Sequence, residues 1–254
     1  MSGALQAVFQ NQRSFGPPPG SQSFLTAGSY TWVAPSGITS VSVVAVGAGG
    51  TASGYAISCC VTVYPGGGGG ALAYVSNTAV TPGSSYSVVV SEYTCARNGA
   101  PSSFNGCTVK AGNGGKATSG AAGLPGTVMA GTGGSGGSGG YAAANTQGSG
   151  GGAGGYSGAG GSGGNTFSAG SGGAAASGKN GGSGIYNGGG VGLFGEGASG
   201  TSVGQGGSGG TDGTNSLGGA YGGGAGNGQP SNGAVRIVWP GSTRQFPNTC
   251  VGAP

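Results

Sequence analysis

Chemistry in this chain would have to come from a short stock of side chains. There are three carboxylates (Glu92, Glu196, Asp212), seven cations (Arg13, Arg97, Lys110, Lys116, Lys179, Arg236, Arg244), five cysteines and no histidine. Without histidine there is no Ser-His or Cys-His pair to activate a nucleophile. The carboxylates are singletons, and Glu92 stands in a different region from the other two, so nothing in their spacing favours an acid–base pair. Matches to GxGxxG and GxxxxG abound, but glycine makes up 71 of the 254 residues, and none of the matches follows a strand and opens a helix. The expectation is that the protein is not an enzyme and needs no cofactor.

The cysteines are Cys59, Cys60, Cys95, Cys107 and Cys250. Cys95 and Cys107 bracket ARNGAPSSFNG, and closing a loop of that size contributes about 3 kcal/mol. The vicinal pair in the neighbouring long loop suggests a second bridge, or a single shared one. Zinc is disfavoured, because no C-x-x-C and no histidine is present. Free, buried thiols are the plain alternative.

The element around which the chain is organised is the stretch 111–230, in which 51 of 120 residues are glycine. Glycines come as short Gly-Gly-x runs: GTGGSGGSGG at 131–140, GSGGGAGGY at 148–156, GGSGGN at 160–165 and GQGGSGGTDG at 204–213. A random tract of this composition stays disordered, because glycine loses the most backbone freedom on ordering. A period of three changes that, since the polyproline II helix has three residues per turn and no internal hydrogen bonds. Glycine on two of its three edges lets neighbouring backbones bond to each other. Collagen is excluded: the register breaks repeatedly, and Pro125 is the only proline between Ala111 and Gly228. A flexible linker is the bland alternative. Against it stand the similar run lengths and the apolar residues between them, including Phe167, Ile185, Val191 and Leu193. The expectation is a bundle of polyglycine/polyproline II helices over 113–230, with almost no α-helix.

From Ser21 to about Lys110 the period is two. SYTWVAP at 29–35, SVSVVAVGAGG at 40–50, ALAYVSNTAV at 71–80 and SYSVVVSEY at 85–93 are β-branched and aromatic runs broken by turn residues. Val41, Val43 and Ala45 share one face of their strand, with Ser42, Val44 and Val46 on the other. SSFNG at 102–106 and CTVKAG at 107–112 add shorter strands, and 54–70 reads as a long loop with a glycine-rich end. GAVRIVWPG at 233–241 returns to strand character, with Val235, Ile237 and Trp239 on one face. A lone strand needs a sheet to join, and the only one is near the amino terminus. The fold class expected is therefore all-β: an antiparallel β-sandwich of 21–112 plus 231–254 with the glycine bundle inserted. Residues 1–20 read as an arm that docks on a partner, with Leu5, Val8 and Phe9 as an apolar patch and PPPG as a stiff end; a disordered terminus is the equal alternative.

The charged fraction is 4%, against about 25% in an ordinary domain. A net charge of +4 spread over the chain is no basic patch, so nucleic acid is not implied. No apolar run reaches the length of a membrane helix, and the first 15 residues lack the layout of a secretory signal. Assembly in a cytoplasm is expected.

Four segments, GALQAVFQNQRSF (3–15), SYTWVAPSGITSVSVVAVGAGG (29–50), GGGGGALAYVSNTAVTPGSSYSVVV (66–90) and GAVRIVWPGSTRQFP (233–247), resemble glycine-rich virion proteins of tailed bacteriophages, especially of cyanobacteria and other aquatic hosts. The resemblance implies a virion component assembled in the host cytoplasm, a tail fibre or fibre-tip adhesin. Residues 1–20 and the sandwich would meet other virion proteins, and loops between glycine runs would meet a host surface glycan or protein. It implies a homo-oligomer, with a trimer one option, and no membrane insertion. The cysteine loops at 54–65 and 94–107 depart from the family pattern. Aromatics between the runs, Tyr141, Tyr156, Phe167, Tyr186, Phe194 and Tyr221, are the candidate receptor contacts; their structural alternative is to pack between helices. The rival function is a capsid decoration protein or self-assembling filament subunit.

Overall fold

The computed structural model describes residues 17–53, 55–58, 61–93, 100–118, 121–143, 145–164, 187–200, 205–214, 216–226, 228–248 and 251–252. Among these residues there are twelve strands: β1 (Gly20–Phe24), β2 (Gly28–Val33), β3 (Ser40–Val46), β4 (Tyr55–Ser58), β5 (Val61–Tyr64), β6 (Leu72–Ala79), β7 (Ser85–Val90), β8 (Ser102–Phe104), β9 (Val109–Ala111), β10 (Val128–Ala130), β11 (Thr146–Gln147) and β12 (Ala234–Trp239). The described chain is all-β and almost free of helix.

Two antiparallel sheets, ordered β1-β12-β3-β6 and β10-β9-β8-β7-β2, make the sandwich. Turn chemistry fixes their connections, one crossing between the sheets and one within the second. Thr81-Pro82-Gly83-Ser84 joins β6 to β7, with Gly83 at φ 77° and Ser84 N–H bonded to Thr81 C=O, the positive φ that a type II turn demands after proline. Residues 105–108 join β8 to β9, opening with Asn105 at φ 49° and Gly106 at φ 70° and with Cys107 N–H bonded to Asn105 C=O; asparagine and glycine are the residues that tolerate this left-handed conformation. Between the sheets Trp32 is 2% exposed, with the rings of Tyr86, Phe104 and Trp239 about it at 5.9–6.0 Å. Val43, Val88, Val235 and Ile237 complete this core.

The strand near the carboxyl end joins the middle of the first sheet. Val235 pairs with Ala45 and Ile237 with Val43 on one side, and Phe24 pairs with Val235 on the other. The chain thus leaves this sheet at the end of β6, Ala79, and re-enters it only at Ala234, as the strand between β1 and β3. Both faces of β3 are covered: Val41, Val43 and Ala45 face the sandwich core, while Val44 and Val46 lie under a second apolar cluster. That cluster holds Leu72, Tyr156, Val191, Leu193, Val238 and Phe246. Burial on two faces explains why SVSVVAV reads as a nearly unbroken apolar run.

Beyond the sheet ends the backbone changes its bonding partners. Along 66–71, successive N–H groups donate to three different neighbours in rotation. Gly66, Gly69 and Leu72 donate to Gly140, Gly137 and Gly134; Gly67 and Gly70 to Ala225 and Gly222; Gly68 and Ala71 to Gly115 and Gly112. The carbonyls do the same: Gly66 and Gly69 accept from Gly123 and Gly126, Gly67 and Gly70 from Gly151 and Gly154, Gly68 and Ala71 from Gly50 and Gly47. The central run therefore touches six segments, and each is bonded to the next around the ring. Representative links are Gly136 to Gly126, Gly115 to Leu124, Gly114 to Ala48, Ala225 to Gly50, Gly224 to Gly151 and Gly137 to Gly152. Backbone groups are satisfied without a helix or a sheet ladder.

Only glycine permits this approach. A Cβ built on any of Gly66, Gly67, Gly68, Gly69 or Gly70 would lie 1.9–2.0 Å from a neighbouring carbonyl oxygen. In the run 132–141 the bulkier residues fall on the third edge: Thr132 and Tyr141 are exposed and Ser135 and Ser138 half-buried, while Gly134, Gly136, Gly137, Gly139 and Gly140 are buried. The sequence places GGGGG at 66–70 at the end of a sandwich loop. In the structure it is the centre of the glycine layer, and 47–50 and 112–115 belong to the same layer. Strands β4, β5, β10 and β11 also lack a counterpart in the sequence reading. The first two and β11 form a small third sheet, ordered β11-β5-β4.

Candidate functional site

The glycine segments run straight on from the sandwich strands, so the layer has a sheet end and a far end. Gly47 bonds to Ala71 at the sheet end, and Gly50 to Gly68 three residues further out. The turns beyond Gly50, Gly66, Gly115, Gly123, Gly140 and Gly148 therefore gather at the far end. The small sheet sits there, with Thr146 opposite Val63 and Gln147 opposite Tyr64. Asn145, at φ 56°, ties its loop to this sheet twice: its N–H donates to Thr62 C=O at 2.8 Å, and its Oδ1 accepts from Thr62 N–H at 3.0 Å. Tyr64 and Tyr141 flank the bond from Gly66 to Gly140 and are 39% and 57% exposed. Thr51 Oγ1 and Gln147 Oε1, also at this end, are buried without a hydrogen-bond partner among the described residues. Orphaned polar atoms of this kind call for a cause.

A second feature lies at the waist, where the glycine layer meets the first sheet. Ser23 and Leu25, at the end of β1, form one wall of a cleft of about 220 Å³; Val191, Leu193, Phe194 and Tyr221 form the other. Phe194 is 58% exposed, and the Arg236 guanidinium lies 4.3 Å from its ring centroid. Arg236 itself is buried; it donates to Leu193 C=O at 3.1 Å and to Ser21 Oγ at 3.4 Å. Desolvation, and then the neighbouring Arg244, hold its pKa below the ordinary guanidinium value. Arg244 is likewise satisfied by carbonyls, those of Trp239 and Val251 among them.

These positions sort the six candidate aromatics. Tyr141 is at the far end and open to solvent. Phe194 and Tyr221 meet at the waist cleft. Tyr156 is corrected to a core residue: it is 1% exposed, stacks on Phe246 at 5.8 Å and 15°, and lies 5.8 Å from Tyr74. Its hydroxyl donates to Gly192 C=O at 3.1 Å and accepts from Gly195 N–H at 3.3 Å, and burial raises its pKa far above the usual phenol value. Phe167 and Tyr186 lie outside the described residues. Tyr64, which the sequence reading passed over, is the aromatic that joins Tyr141; the signal was its place just before Pro65 and the glycine run. Cys107 is exposed as a free thiol, while Cys95, Cys59, Cys60 and Cys250 lie outside the described residues. Among the described residues no cluster of three or more His, Cys, Asp or Glu side chains could hold a metal ion, and no helix is long and apolar enough to cross a membrane.

An antiparallel sandwich whose strands run on into a glycine layer, with exposed aromatics on that layer's far end and waist, defines a scaffold class. The chain belongs to the glycine-rich domain family, whose pattern matches residues 25–241. No protein among the curated relatives matches it.

Proposed function

We propose that the protein is a structural component of a bacteriophage virion, a tail-fibre or fibre-tip adhesin that binds a host surface receptor through the far end of the glycine layer. On this reading the runs are polyglycine II helices: their bonds repeat every three residues, which is the period of that helix. The observation that carries the reading is polarity. Gly20 pairs with Trp239, and Pro17 faces Gly37 at the sandwich end away from the glycine layer, so the amino-terminal arm departs from one end. The turns between runs gather at the other, roughly 40 Å from the start of β3 by strand and polyproline II rises. Such a molecule attaches by arm and sandwich and presents its turns outward. Contacts there use stacking and amide bonds, with neither metal nor catalysis, as befits a tip carrying Tyr64 and Tyr141.

The test is adsorption of particles carrying Tyr64→Ala with Tyr141→Ala. Both side chains are exposed, so folding and assembly should be preserved while adsorption to host cells falls. Unchanged adsorption by correctly assembled particles would reject binding at this end. Purified protein that coats emptied capsids and ignores cells would assign it instead to capsid decoration.

A further inference from the structure

We propose that the free edge of β1 and the waist cleft at its end dock residues Leu5–Phe9 of a second copy of this chain, and that this contact builds the homo-oligomer. The inference goes beyond the adhesin reading and does not depend on it. Among the described residues β1 is an edge strand of its sheet, and Ser21, Gln22 and Ser23 are exposed. GSQSF has neither the charge nor the proline with which proteins ordinarily blunt an open edge. The cleft continues the line of the strand, from Ser23 and Leu25 across to Phe194 and Tyr221. At about 220 Å³ it has room for one large apolar side chain. Among the described residues no ionisable side chain other than the phenol of Tyr221 lines it, which suits an uncharged occupant.

An extended peptide bound this way gains affinity from main-chain bonds and specificity from the side chain in the pocket. The amino-terminal segment has that chemistry. GALQAVFQNQ, residues 3–12, carries no charge, and Leu5, Ala7 and Phe9 alternate with Gln6, Val8 and Gln10, the period of a strand. Sixteen residues precede Pro17, enough to reach about 50 Å when extended. Pro17–Pro19 is held extended by its rings and passes Gly37 at the end of the sandwich away from the cleft. Pro17–Pro19 thus heads the segment away from its own β1, and the occupant we assign to the cleft is the segment of a neighbour.

The experiment uses the full chain. In sedimentation velocity the natural sequence should associate, and Leu5→Asp with Phe9→Asp should yield monomers. Those monomers retain an intact cleft and should bind a fluorescent synthetic peptide of residues 3–12. Phe194→Ser added to them should weaken that binding by about tenfold or more, the loss of one buried apolar contact. Leu25→Asn, at a 46% exposed position, gives the same reading should Phe194→Ser fail to fold. Association unchanged by the two aspartates, or peptide affinity unchanged by both cleft variants, would overturn the proposal. So would a cleft that ignores the peptide and binds free hexoses, which would mark it as a sugar site.

Discussion

Replacing Gly69 by alanine probes the glycine layer at its centre. The added Cβ would lie 1.9 Å from the Gly152 carbonyl oxygen, and real Cβ contacts essentially never fall below 3.0 Å. Backbone must therefore move by at least the difference, 3.0 − 1.9 = 1.1 Å. The oxygen that must move accepts from Gly137 N–H at 2.8 Å, and Gly69 itself donates to Gly137 C=O at 2.8 Å and accepts from Gly126 N–H at 2.9 Å. A shift of that size breaks two or three of these bonds in a place water does not reach. Each buried group left unpaired costs about 1–3 kcal/mol, so the loss should be about 3–6 kcal/mol. For a chain of this size that lowers the melting temperature by about 10 °C or more. Ser135→Ala, on the half-buried third edge of its run, is the control and should change stability by less than about 0.5 kcal/mol. The sign is decisive. In a flexible linker Gly→Ala restricts only the unfolded chain and is neutral or stabilising, by about 0.4–1 kcal/mol where it acts. Calorimetry or denaturant titration reads the difference. Gly69→Ala as stable as Ser135→Ala would refute the reasoning.

Three further outcomes follow from particular contacts. Asn187 is buried; its amide donates to Thr214 C=O at 2.6 Å and accepts from Gly226 N–H at 2.6 Å, so Asn187→Ala should cost about 2–4 kcal/mol in denaturant titration. Burial raises the Tyr156 hydroxyl above its ordinary pKa of 10.0, with Tyr74 and Tyr221 shifted the same way. Above pH 10 the unfolded chain releases these protons more readily than the folded one, so stability holds below pH 10 and falls as pH rises, by up to about 1.4 kcal/mol per unit for buried Tyr156 and by less for the partly exposed Tyr74 and Tyr221. Tyr156→Phe should flatten that decline, and an equally steep one would contradict the burial argument. Arg236→Ala removes the bond to Leu193 and the guanidinium beside Phe194; a loss of about 2–4 kcal/mol in thermal unfolding is expected.

The sandwich was legible because its signals are local. Alternation in SVSVVAV assigned Val43 and Val44 to opposite faces, and the orphan strand at 233–241 had only one sheet to join. The three-residue period of 131–140 was equally plain. What could not be read was position within the layer. Gly66–Gly70 carries no spacer residue to reveal a period, and its central place depends on six segments brought in from elsewhere in the chain. The same applies to the aromatics. Tyr141 and Tyr156 each border a glycine run and look alike in sequence. One borders the open far end and the other the sheet end, where Phe246 and Tyr74 close over it. The waist cleft joins Leu25 to Phe194 and Tyr221, a juxtaposition no local pattern announces.

Amide hydrogen exchange along Gly66–Leu72 tests the central claim most directly, that the glycine tract is a hydrogen-bonded scaffold. This run lies outside every strand up to Leu72, yet all seven of its amides are bonded, donating in rotation to three other segments. The prediction is strong protection at all seven, comparable to that of β3 and β12, in intact protein at neutral pH. Exchange at the rate of an unstructured peptide across 66–71, with β3 still protected, would contradict the account.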